Sequence, residues 1–206
     1  NLVAGNHTMQ GIYTYESDSL SLTNIKIEDS AIGLFIENSE KMIANNINIT
    51  RSIDFGLYNS KTNWSTFSQL KVTETDQTGI SILDSSHNKI DSNSESSDSG
   101  QYGIFMNGQN NSIYNSQFTD NAYSSIVAQD LTTGIIDSVT ISDTTSTSEQ
   151  SILFNNSKDI TLSQSSIGNP NTRELFIKDS ESCVITQNDF AFTGIYLEGE
   201  NKKDFD

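Results

Sequence analysis

Three kinds of side chain along this chain could do chemistry, and the first two recur at a regular interval. The first is aromatic. Tyr13, Phe35, Tyr58, Phe105, Phe176 and Tyr196 fall in one column, which Ser81, Val127 and Leu153 complete. Such faces can stack on sugar rings or seal against another protein surface. The second kind is acidic. Asp29, Glu74, Asp120 and Asp143 recur in a column with Arg51, Ser97 and Asn169. Paired carboxylates serve as acid and base in glycoside hydrolysis, or as oxygen ligands for calcium. The third is His87, which reads as a solvated turn residue or as a catalytic base. His87, Glu95 and Asp98 share a repeat with Ser81, where the aromatic column is interrupted. A polar notch between Tyr58 and Phe105 is therefore expected, and a ligand is expected there.

The elements that position these residues are read from spacing. Apolar anchors stand at Ile12, Leu34, Leu57, Ile80, Ile104, Ile126, Ile152, Leu175 and Ile195, between 20 and 26 residues apart. A glycine precedes many of them, as at Gly33, Gly56, Gly79 and Gly103. An interval of this length marks a solenoid. Apolar pairs five residues apart follow nearly every anchor: Leu22/Ile27, Ala44/Ile49, Phe67/Val72, Ile113/Phe118, Ile136/Ile141, Leu162/Ile167 and Ile185/Phe190. Five is no helical spacing; it suits two short strands joined by a bend. Asn24, Asn46, Gln69, Ser92, Asn115, Ser138, Gln164 and Gln187 fall in that bend. Such residues satisfy local backbone groups and can bond to their stacked copies.

Gly103-Ile104-Phe105-Met106-Asn107 and Gly194-Ile195-Tyr196-Leu197 carry a resemblance. They are similar to the right-handed parallel β-helix repeats of pectate-lyase-like folds, and to NosD-like carbohydrate-binding and sugar-hydrolase repeats in particular. The fold expected is all-β: a right-handed parallel β-helix solenoid of about nine rungs, each of about 23 residues. Residues 1–206 are expected to form one such domain, a piece of a longer chain. Catalysis in similar proteins implies an Arg or Lys base with calcium-binding acids, clustered Asp with His and an Arg-x-Lys element, or an Asp-Pro-His element. None of these motifs is found around Arg51, Arg173 or Pro170, the only arginines and proline in the chain.

Two places break the pattern. In the fourth rung the partner five residues after Ile90 is Glu95, so a bulge or loop is expected in place of the strand. In the third rung Lys61-Thr62-Asn63-Trp64 reads as a wider turn. Trp64 is the only tryptophan, and a turn tip is an odd place for it unless it packs or binds.

A formal net charge of −16 excludes electrostatic binding to nucleic acid or an anionic membrane. No apolar stretch is long enough to cross a bilayer as a helix. The single cysteine, Cys183, falls on the inward face and reads as a small buried hydrophobe. No cofactor is expected. Asp120 and Asp143 are the only candidate calcium ligands, and calcium bound to a repeat needs more oxygens than this pair supplies.

These features point to a non-catalytic structural or adhesive module of a larger surface or fibre protein, outside the cell or on its surface. The aromatic column would meet further segments of the chain, a second subunit or a polysaccharide, or remain partly exposed. The alternative is a carbohydrate-active enzyme, a lyase, hydrolase or epimerase, acting on the β-helix surface near rungs three to five.

Overall fold

A computed structural model describes residues 2–4, 9–142, 150–168, 173–192 and 194–199. It is built from parallel strands, and no helix occurs among the described residues. Side chains alternate along each first strand, so Ile104 and Met106 are buried while Phe105 faces out. Each rung pairs with the next in the register that the anchors predict. Ile12 lies opposite Leu34, Leu34 opposite Leu57, and Leu57 opposite Ile80. The column continues through Ile104, Ile126, Ile152, Leu175 and Ile195. The five-residue pairs stack likewise, Ala44 on Phe67 and Ile49 on Val72. One apolar core therefore runs along the axis.

The polar bend has a backbone cause. Asn24, Asn46, Gln69, Ser92, Asn115, Ser138, Gln164 and Gln187 all have φ between 44° and 58°. This left-handed conformation is least costly for Gly, Asn and Asp. The side chains also bond across rungs: Asn46 Nδ2 donates to Asn24 Oδ1 at 2.7 Å. A second ladder lies inside the turn before the second strand. Asn88 Oδ1 accepts the Ser65 amide and Asn111 Oδ1 the Asn88 amide, both at 3.0 Å. Their Nδ2 groups donate to the Thr62 and Ser85 carbonyls. Both asparagines are fully buried, so all of this bonding is internal.

The glycine before the anchor is needed for close approach. A Cβ on Gly56 would strike Val72 and come within 2.7 Å of the Gly79 carbonyl oxygen on the next rung. Later rungs place Ser125, Ser151 and Glu174 there, all buried. Glu174 compensates by accepting the Phe192 and Gly194 amides at 2.7 and 2.6 Å.

Rung four departs from expectation. Its third strand is kept, as Glu95–Ser99. The bend holds an extra left-handed residue, Asn93 beside Ser92. That residue moves Ser96, not Glu95, into line with Val72 and Phe118. Ser96 Oγ donates to the Gly103 carbonyl at 2.9 Å, which satisfies it within the core. Glu95 turns outward and pairs with Lys71 at 3.0 Å.

Asn59 stands in the inner column between Ile36 and Ile82. It is fully buried, and neither amide atom has a partner. An orphaned buried polar group costs about 1–3 kcal/mol. Asn59→Leu is therefore expected to raise the urea midpoint by the equivalent of about 1–3 kcal/mol. A lowered midpoint would mean that the amide is satisfied in solution.

Candidate functional site

The outward face of the first strand carries the aromatic column in the predicted register. Tyr13, Phe35 and Tyr58 form a ladder with ring centroids 5.0 Å apart at each step. Phe55, two residues before the Leu57 anchor, packs edge-on against Tyr58 at 4.9 Å. Tyr102 joins Phe105 to Tyr123 in a looser group. Farther along, Arg173 lies over both Phe176 and Tyr196, 4.2 Å from the latter ring. The column is not uniformly open. Tyr13 and Tyr196 are exposed, Phe35, Tyr58 and Phe105 half-buried, and Ser81, Val127 and Phe176 buried without any second chain.

Burial of Ser81 closes the notch expected between Tyr58 and Phe105. Its expected partners are dispersed around the rung. His87 lies in the turn before the second strand, where its ring stacks on Trp64. Glu95 and Asp98 are both on the third strand, Asp98 at its left-handed bend. Residues close in sequence thus lie on different faces, because one rung circles the whole core. The wider turn expected at Trp64 is also absent. Trp64, with φ of 58°, continues the left-handed column of Lys41, His87 and Asn110.

An open groove of about 670 Å³ lies at the edge where the third strands lead into the first. Arg51, Ser52, Ile53, Glu74, Thr75, Asp76, Asp98 and Gly100 line it. Its lip arises from one extra residue between Ser52 and Phe55, relative to Ser30 and Ile32 in the rung before. Ser97, expected in the acidic column, is replaced there by Asp98. Thr73 pairs with Ser97 and Thr75 with Ser99, which sets Asp98 opposite Glu74. Only Asp98 of the expected notch residues lines this groove. Glu74 and Asp76 carried no notch signal, though the column spacing had marked Glu74.

Arg51 is turned away from those acids. Its Nε and Nη2 donate to both Asp29 oxygens at 2.6 and 3.0 Å, and Nη2 also reaches Glu28 at 3.4 Å. The Arg51 guanidinium holds the Asp29 carboxyl below its ordinary range. Lys26, with Arg51, does the same for Glu28. Among the described residues no group of three or more His, Cys, Asp or Glu is placed to hold a metal ion. Asp120 is half-buried in its turn, and Asp143 lies outside the described residues. Cys183 is buried, and burial pushes its thiol up to about 11, so it is no thiolate at neutral pH.

Parallel rungs, a single axial core and an outward-facing sheet define a β-helix. The chain belongs to that family: residues 55–205 match the right handed beta helix region. No curated protein sequence matches significantly. Among solved structures, the periplasmic alginate epimerase AlgG is similar over 86% of this chain and 49% of its own, at 12% identity and a TM-score of 0.67. The A-module of the Azotobacter vinelandii mannuronan C-5 epimerase AlgE6 is similar over 94% of this chain and 59% of its own, at 10% identity and 0.74. The enzymatically active domain of bacteriophage CBA120 tailspike protein 2 is similar over 94% of this chain and 35% of its own, at 14% identity and 0.63. The chain therefore spans between about a third and three fifths of these proteins. At such identities the likeness is one of fold. It nonetheless corrects the expectation of a non-catalytic structural or adhesive module, because these proteins are carbohydrate-active enzymes. The alternative reading is the better supported.

The Arg51 cluster has a pH signature. A lowered folded-state pKa gives stabilisation that is present above the unfolded value of about 3.9 and fades as pH falls through the lowered one. Carboxyl NMR should place the Asp29 midpoint below that of an ordinary aspartate, and Arg51→Gln should return it upward. An unmoved midpoint would show that the pair does not persist in solution.

Proposed function

We propose that this chain acts on a carbohydrate, holding a glycan along the outward face of its first strands with the acidic groove as the reacting edge. The observation that carries this reading is the meeting of two surfaces. Ile53, in the groove wall, is two residues from Phe55, which packs on the Phe35–Tyr58 ladder. Flat aromatic faces bind sugar rings, and the adjoining carboxylates supply acid–base chemistry.

Of the three reactions open to the fold, glycoside hydrolysis fits best. Glu74 and Asp98 face each other on adjacent rungs. A rung spacing of about 4.8 Å suits the roughly 5–5.5 Å between the carboxyls of a retaining glycosidase. In that role one carboxyl attacks the anomeric carbon, and the other protonates the leaving oxygen and then activates water. Elimination or epimerisation of a uronate calls for a cation to neutralise the sugar carboxylate. The groove's one cation, Arg51, is already engaged by Asp29 and Glu28. Three carboxylates in the groove also repel an anionic sugar, so the substrate class is a neutral polysaccharide. A site outside the cytoplasm, where such polymers occur, belongs to the same reading.

The test is release of reducing ends from a panel of neutral polysaccharides. Glu74→Gln and Asp98→Asn should each lower kcat by about 10²-fold or more. Tyr58→Ser should raise KM and leave kcat nearly unchanged. Unsaturated ends, or full activity in both acid variants, would overturn the assignment.

A further inference from the structure

Trp64 is placed where a tryptophan gains little from the fold. Its backbone is left-handed, a conformation that suits Gly, Asn or Asp, and the side chain is 57% exposed. The same column takes Lys41, His87, Asn110 and Thr133 on neighbouring rungs, so the turn itself does not require an aromatic residue. The indole is nevertheless held firmly. His87 stacks on one face, with centroids 3.8 Å apart and planes 15° from parallel. Asn110 Nδ2 lies 3.1 Å from His87 Nε2 and holds the imidazole in place. Asn63 Oδ1 accepts both the amide and the hydroxyl of Ser86, which ties this turn to the next rung. His87 covers one face of the indole, and the rung on the other side carries Lys41 at the equivalent turn position.

Charge supplies a second, independent observation. In this acidic chain Lys26, Arg51, Lys71, Lys89, Lys158 and Lys178 each pair with a carboxylate. Lys41 and Lys61, both exposed, have no carboxylate partner among the described residues. Lys41 is the column neighbour of Trp64 one rung away, and its amide donates to the Asn63 carbonyl at 2.9 Å. Lys61 is three residues before Trp64 on the same rung, and Glu40, also exposed, is the nearest acid in sequence to Lys41. Among the described residues, the lysines without a carboxylate partner thus lie on the column and the rung of Trp64, with Asp84 in register opposite Lys61.

We propose that Trp64, backed by His87 and flanked by Lys41 and Lys61, is a second saccharide site that takes an acidic pyranose of a polysaccharide. The C–H face of the ring stacks on the indole, and its carboxylate meets the ammonium groups. The site lies on the turn between first and second strands, away from the acidic groove, and does not depend on the hydrolytic reading. It would hold a polymer on the rod by its charged residues, which the groove rejects.

Trp64 is the only tryptophan in the chain, so its fluorescence reports this site alone. Hexamers of mannuronate and of galacturonate would be titrated in, with cellohexaose as the neutral control. The expected result is a saturable change in emission with at least one hexauronate and none with cellohexaose. Lys41→Gln/Lys61→Gln should weaken that binding at least 10-fold, as should 1 M salt. Glu74→Gln/Tyr58→Ser should leave it unchanged, which separates this site from the groove. An unchanged emission with both hexauronates would overturn the proposal. So would wild-type affinity in the lysine variant, or an equal response to cellohexaose.

Discussion

The structure depends on parallel hydrogen bonding between rungs at one fixed spacing. Every rung must turn at the same points as its neighbours, or the ladder breaks. The turns are made by residues with positive φ, and most of them are not glycine. Each such residue costs about 1–2 kcal/mol relative to a right-handed conformation. The cost is offset by what stacking provides: a continuous apolar core on the inside and amide or hydroxyl ladders at the corners. The abundance of Asn, Ser, Asp and Thr is a direct consequence. These residues tolerate the turns and bond to the copy of themselves one rung away.

The same constraint governs how a site can be assembled. Side chains at equivalent points form columns, so chemistry comes from neighbouring rungs more readily than from neighbouring residues. Arg51 with Asp29, Lys71 with Glu95 and Lys158 with Glu181 are pairs of this kind. So are the Tyr13–Phe35–Tyr58 ladder and the facing acids Glu74 and Asp98. Exposed pairs of this sort add little stability singly. Their effect is to hold charge in definite rows, which matters in a chain of net charge −16.

Legibility in the sequence followed from periodicity. The anchors, the five-residue pairs and the left-handed bend could be read because apolar and amide residues recur there in nearly every rung. The turn carrying Trp64 and His87 could not, since its column runs Lys41, Trp64, His87, Asn110 with no shared side-chain type. Its inner ladder of Ser65, Asn88 and Asn111 was missed because buried and solvated asparagines look alike in a chain so rich in them. Rung four was misread by one residue. With a side-chain period of two, a single insertion in the bend exchanges inward and outward positions, and Glu95 was assigned the place of Ser96. The expected notch failed for a different reason: Ser81, His87, Glu95 and Asp98 are close along the chain, but the rung carries them around the core. Resemblance pointed to the fold and left the activity open, because this repeat encodes stacking and sites are added to it.

Departures from the repeat are therefore the informative positions, and they are of two kinds. Some are satisfied inside the fold. Glu174, in the place of a glycine, accepts two backbone amides from the following rung, and Ser96, in the place of an apolar residue, donates to a carbonyl. These are local repairs and imply nothing about ligands. Others are left unsatisfied at the surface. The extra residue after Ser52 opens an acidic groove whose one lining cation, Arg51, is held by Asp29. Trp64 occupies a strained turn with most of its surface in water. A stacking code that can be met by Asn or Gly has no need of either feature. What the fold itself does not use is where an external partner has to be sought.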